Sequence, residues 1–145
     1  MAKRILVAVD RTAPPDQLLD LVSDAARGGG ATVRLLHVAP APESVVDDDG
    51  RMLAYADQEA ARVETEALDA LRTFELRFTG DVVDSVVRFG DPAREIVREA
   101  EEFGADLIAV AATCPTGLRP LLFGGLAEKV ARRAPMAVAA VLPAA

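Results

Sequence analysis

The chain has 145 residues, 51% hydrophobic and 27% charged, a balance that fits one folded domain with a core and excludes a disordered or fibrous polymer. Acidic residues number 23 and basic ones 16, so the net charge of −7 repels phosphate backbones and excludes a general nucleic-acid binder. No apolar run reaches the roughly 18 residues of a membrane span, and the single cysteine, Cys114, allows no internal disulfide and fits a reducing compartment.

Arg4–Asp10 reads as a strand, because Ile5-Leu6-Val7-Ala8-Val9 is an unbroken apolar run of the kind that is covered on both faces. Asp10 and Arg11 close that run too early for the core of a secretory leader, and the expected location is the cytoplasm. After a turn over Arg11–Pro15, Asp16–Arg27 reads as a helix with Leu18, Leu19, Val22, Ala25 and Ala26 on one face. Gly28-Gly29-Gly30 stops it and leads into a second strand, Ala31–Val38. Ala39–Gly50, rich in proline and aspartate, reads as a mobile loop. A long helical stripe follows over Arg51–Phe78, with Leu53, Ala56, Ala60, Val63, Ala67, Leu71 and Phe74 at steps of three and four.

Val82–Phe89 is the third strand. Gly90-Asp91-Pro92 opens a helix, with Asp91 as N-cap and Pro92 at the first helical position. That helix keeps Ala93, Ile96, Val97, Ala100 and Phe103 on one face and stops at Gly104. Ala105–Ala112 is the fourth strand, Thr113–Phe123 a loop, Gly124–Arg133 a short helix and Met136–Leu142 the last strand. Lys129, Arg132 and Arg133 fall at the end of the short helix, where cations meet the favourable end of its dipole. Strand and helix alternate throughout, which predicts a single α/β domain over 1–145: a five-stranded parallel sheet with right-handed crossovers and helices on both faces.

Open parallel sheets bind ligands beyond the carboxyl ends of their strands, where the strand order reverses. That geometry selects Asp10–Pro15, Val38–Gly50 and Ala111–Gly125. The third segment opens a helix with Gly124-Gly125, and N–H groups at a helix N-terminus attract phosphate. The bland counterpart is tight packing of helix on strand.

Several segments occur in a telling order. Val7-Ala8-Val9-Asp10 ends the first strand, Leu35-Leu36-His37-Val38 the second, Gly90-Asp91-Pro92-Ala93 opens the third helix, and Ala105-Asp106-Leu107-Ile108 opens the fourth strand. Then come Thr116–Val130 and Arg132-Arg133-Ala134-Pro135. Together they resemble the universal stress protein family over essentially the whole chain. The resemblance implies a Rossmann-like five-stranded sheet, a homodimer paired through the last strand at Met136, Val138 and Val141, a regulatory role in stress response exerted on an unidentified protein partner, and, in one branch of the family, bound ATP with Mg²⁺. The ATP-binding branch carries a loop of the form G-x-x-G, nine residues, then G-S or G-T. Placed on this chain, those positions are Ala111, Cys114, Gly124 and Gly125, of which only Gly124 matches. The base-side positions, Val9, Asp10 and Val38, match the family's own residues. The resemblance therefore implies an intact base pocket beside an eroded phosphate cradle, so that nucleotide binding is weak or absent. A genuine ATP sensor and a slow ATPase stay open as alternatives.

No catalytic constellation is visible. Cys114 as a nucleophile needs a base, and the lone histidine, His37, sits on a strand that the resemblance places two positions away, roughly 9–10 Å across the sheet. His37 reads as a strand-end residue bonded to neighbouring backbone. Asp47-Asp48-Asp49 reads as a solvated turn and not as a metal site, and no cofactor is required by the sequence.

Overall fold

A computed structural model describes residues 3–9, 16–26, 30–41, 45–46, 48–50, 52–54, 56–78, 82–111 and 126–141. In chain order its elements are β1 (Arg4–Ala8), α1 (Asp16–Ala26), β2 (Thr32–Ala39), β3 (Val45–Val46), β4 (Met52–Ala54), α2 (Ala56–Glu75), β5 (Val82–Phe89), α3 (Pro92–Phe103), β6 (Leu107–Ala111), α4 (Leu126–Arg133) and β7 (Ala137–Val141). The main sheet has five parallel strands in the order β5-β2-β1-β6-β7. The chain winds from β1 outward to β5, then returns to β6 on the other side of β1. The order therefore reverses between β1 and β6.

Alternation along β1 divides the core in two. Ile5, Val7 and Val9 pack with Leu18, Leu19 and Val22 of α1 and with Leu71 and Phe74 of α2. Leu6 and Ala8 pack with Ala93, Ile96, Val97, Ala100 and Phe103 of α3 and with Val130 of α4. Ile5 and Leu6 are both 0% exposed, so this strand is dry on both faces and its apolar run needs no alternation. The expected apolar stripes on α1 and α3 are the ones that are buried.

Two expectations are corrected. The stretch Ala39–Gly50 is not one loop: Val45–Val46 pairs antiparallel with Met52–Ala54, with a bulge between the two valines. The intended helix over Arg51–Phe78 accordingly starts at Ala56 and ends at Glu75. The spacing of Leu53 to Ala56 fits a helix, but Val45 and Val46 provide a β-branched partner for Met52–Ala54, and Gly50 at φ +82° supplies a residue free to turn the chain. Phe78 stays in the core, at the end of a turn in which its N–H donates to the Glu75 carbonyl at 3.1 Å.

α3 is bound to the sheet by charge as well as by apolar contact. Glu99, 4% exposed, accepts from Arg34 Nη1 of β2 at 2.9 Å and from Arg88 Nε of β5 at 2.6 Å. Arg34 also clasps Asp84 through Nε and Nη2, at 3.1 and 3.0 Å, and lies over the Phe103 ring at 4.3 Å. The hydrogen bonds to Asp84 push the Arg34 pKa above its ordinary value, against the opposing effect of burial. Arg88 further pairs with Glu95 at 3.0 Å and with Glu102. Removing Glu99 leaves two arginines short of their shared acceptor. Glu99→Ala is expected to destabilise the protein by about 2 kcal/mol, since Asp84, Glu95 and Glu102 retain part of the compensation. Urea unfolding checks it: the midpoint falls while the slope is unchanged.

Candidate functional site

The carboxyl ends of the strands bring Val9, Val38 and the backbone of Ala111 to one end of the sheet. Of the other candidate ligand residues, Asp10, Cys114, Gly124 and Gly125 lie outside the described residues. Val9 belongs to the α1/α2 core at 5% exposure, whereas Val38 is half-buried against the α3/α4 cluster.

The β1–β2 ladder ends here in an irregular way. Val9 N–H donates to the Leu36 carbonyl at 2.8 Å. The Val9 carbonyl is then met by a side chain, His37 Nδ1, at 3.1 Å. A carbonyl only accepts, so Nδ1 carries the proton. His37 is 8% exposed, and the contact agrees with its expected role as a strand-end residue bonded to backbone.

One strand further out, Gly90 N–H donates to the Ala39 carbonyl at 3.0 Å. Gly90 has φ +135° and lies under the Glu95 side chain, the same carboxylate that pairs with Arg88. Asp91 then caps α3 by accepting from Arg94 N–H at 3.0 Å. The expected Gly-Asp-Pro helix start is present with the expected roles.

Among the described residues, this end offers backbone groups, apolar side chains and the His37 ring. His37 is held by the backbone, and no group of three or more potential metal ligands occurs among the described residues. β6 and β7 lie two and three positions beyond β2, which keeps His37 away from the other side of the switch point. Arg132 at the end of α4 is paired with Glu128 at 2.7 Å, and Arg133 approaches Asp91 at 3.6 Å. No helix among the described residues is long and apolar enough to cross a membrane.

The Arg34–Glu99–Arg88 cluster was not singled out in the sequence. The signal was present: Glu95, Glu99 and Glu102 are spaced by four and three on one helix, and Arg34 and Arg88 each fall on the strand face that meets it.

The universal stress protein family model matches residues 1–141. Universal stress protein YxiE of Bacillus subtilis (strain 168) is 27% identical over 140 residues, covering 91% of this chain and 93% of the relative. The solved structure of hypothetical protein MJ0577 superposes with a TM-score of 0.75 at 26% identity, covering 98% of this chain and 96% of the other. The universal stress protein from Archaeoglobus fulgidus, solved in complex with dAMP, gives 0.58 at 21% identity, with 95% and 96% covered.

Among the described residues at this end, Gly90 holds a positive φ that L side chains rarely adopt. Gly90→Ala is expected to cost about 1–2 kcal/mol through backbone strain at positive φ, although an added Cβ finds its nearest atoms at an ordinary 3.5 Å. Thermal unfolding of the variant, compared with Asp91→Ala as a cap deletion of about 1 kcal/mol, checks the size of the effect.

Proposed function

The chain belongs to the universal stress protein family, and from that premise we propose that it is a cytoplasmic, homodimeric regulator of the stress response that acts through a protein partner and binds adenine nucleotide weakly. The observation that carries the reading is the contrast between the two halves of the candidate site. Val9, Asp10 and Val38 have the residues of the family's base side, while Ala111, Cys114 and Gly125 depart from the glycine and hydroxyl positions of the phosphate loop. The complex of the Archaeoglobus fulgidus relative with dAMP supports an adenine-type ligand for the base side. The second reading is a true ATP sensor, in which backbone N–H groups alone cradle the phosphates with Mg²⁺. A slow ATPase is the third, and phosphate release at high protein concentration would reveal it. A thermal-shift screen with ATP and Mg²⁺ separates the first two, and absorbance of the supernatant after denaturation reports any co-purified nucleotide.

For the nucleotide, the triple variant Ala111→Gly, Cys114→Gly, Gly125→Ser is expected to bind ATP at least about tenfold more tightly. Two methyl-or-larger obstructions are removed and one charge-assisted hydrogen bond, worth about 1.5–3 kcal/mol, is added. Calorimetry on both proteins decides it: tight binding by the original chain, or no gain in the variant, removes these side chains from control of the site.

For the dimer, the two edges of the sheet differ. β5 carries Asp84 and Arg88, inward-paired charges of the kind that blunt an edge, whereas β7 is Ala-Val-Ala-Ala-Val with no charge. An isologous, antiparallel pairing of two β7 strands fits that difference. Met136 and Val138 are half-buried against the α3/α4 cluster, so the exposed Ala140 is the cleaner place for a charge. Light scattering is expected to give a dimer mass for the unmodified chain and a monomer for Ala140→Lys; a monomeric unmodified chain overturns the assembly.

A further inference from the structure

In a parallel pair, a bond from Val9 N–H to the Leu36 carbonyl is ordinarily followed by one from Val38 N–H to the Val9 carbonyl. The first is made, at 2.8 Å. The second is not made among the described residues: the ladder of β1 with β2 ends at the Ala8–Leu36 pair, and His37 Nδ1 occupies the Val9 carbonyl at 3.1 Å. The direction of the Val38 N–H follows from its neighbours. Leu36 presents its carbonyl to β1 and Ala39 presents its own to Gly90, so Val38, two residues from Leu36, faces β1. Among the described residues this donor has no partner, at the carboxyl end of the sheet where a strand N–H calls for one.

We propose that His37 is the positioning residue of this site: by taking the Val9 carbonyl it ends the ladder one residue early and keeps the Val38 N–H free for an in-plane ring nitrogen of a nucleobase. The ligand part rests on the nucleotide reading above; the ladder part does not. His37 belongs to the α1/α2 side of the sheet. Val33 and Leu35, in phase with His37 along β2, pack with α1 and α2, whereas the Val38 side chain packs with the α3/α4 cluster.

The test uses the full chain labelled with ¹⁵N and two variants. Leucine at position 37 removes the donor and lets Val38 N–H close on the Val9 carbonyl. Asparagine retains a donor nitrogen near the place of Nδ1. Hydrogen exchange of the Val38 amide is expected to be at least about tenfold faster than that of Leu36 in the unmodified protein, to slow about tenfold in His37→Leu, and to stay fast in His37→Asn. AMP affinity, followed by titration, is expected to fall about fivefold or more in His37→Leu and to be retained in His37→Asn. A Val38 amide as protected as Leu36 in the unmodified protein, or leucine and asparagine variants that behave alike, overturns the proposal. Should His37→Leu fail to fold, the exchange rates of the unmodified protein and of His37→Asn still decide. The expected exchange pattern without any AMP binding upholds the role of His37 and overturns the nucleotide reading. AMP binding with the Val38 amide protected in the free protein does the reverse.

Discussion

β1 has a strand on each side and a helical layer on each face, and the remaining elements are placed by the need to keep it dry. Its residues from Ile5 to Val7 are at most 1% exposed. A strand in that position can contribute no polar side chain without a desolvation penalty, so all its specificity lies in backbone pairing and in where the pairing stops. It stops at Ala8 on the β2 side. The central strand thus carries the stability of the fold, and the candidate site lies at its exit.

The outer strands solve a different problem. β5 is eight residues long and has only β2 as a strand partner, which leaves it exposed to adventitious pairing. Its charged residues pair with Glu95, Glu99, Glu102 and Arg34, and this ionic cluster ties α3 to the sheet. Such a cluster is a poor source of net stability against an apolar replacement, but it is costly to break from one side, which makes it a specifier of where α3 lies. Because α3 begins just after Gly90, whose N–H donates to the Ala39 carbonyl, the cluster also anchors the helix start that borders the candidate site. β7, Ala-Val-Ala-Ala-Val, carries no charge at all.

The family fold and the family site carry unequal weight for function. The fold supports many activities, so it leaves regulator, sensor and hydrolase equally available. The distinction between them falls on a few positions after β6 and on the backbone at the ends of β1 and β2.

The order of strands and helices, the buried faces of α1 and α3, the Asp91 cap and the Gly104 stop were legible in the sequence, because each is dictated by local periodicity or by a residue with one conformational use. The resemblance carried by Val7–Asp10, Leu35–Val38 and the segment from Ala105 onward implied five strands with the second two positions from the fourth, as in the observed order. Three things were decided only by tertiary structure. Met52–Ala54 became a strand because Val45–Val46 was there to pair with it, overriding a helical spacing. Glu95 and Glu99 were buried because arginines from β2 and β5 met them, and no single-segment pattern contains that pairing. His37 meets the Val9 carbonyl across the β1–β2 pair, a contact between two segments distant in sequence that neither segment shows alone. Local chemistry chose the elements; contacts between remote segments chose where the ladders end.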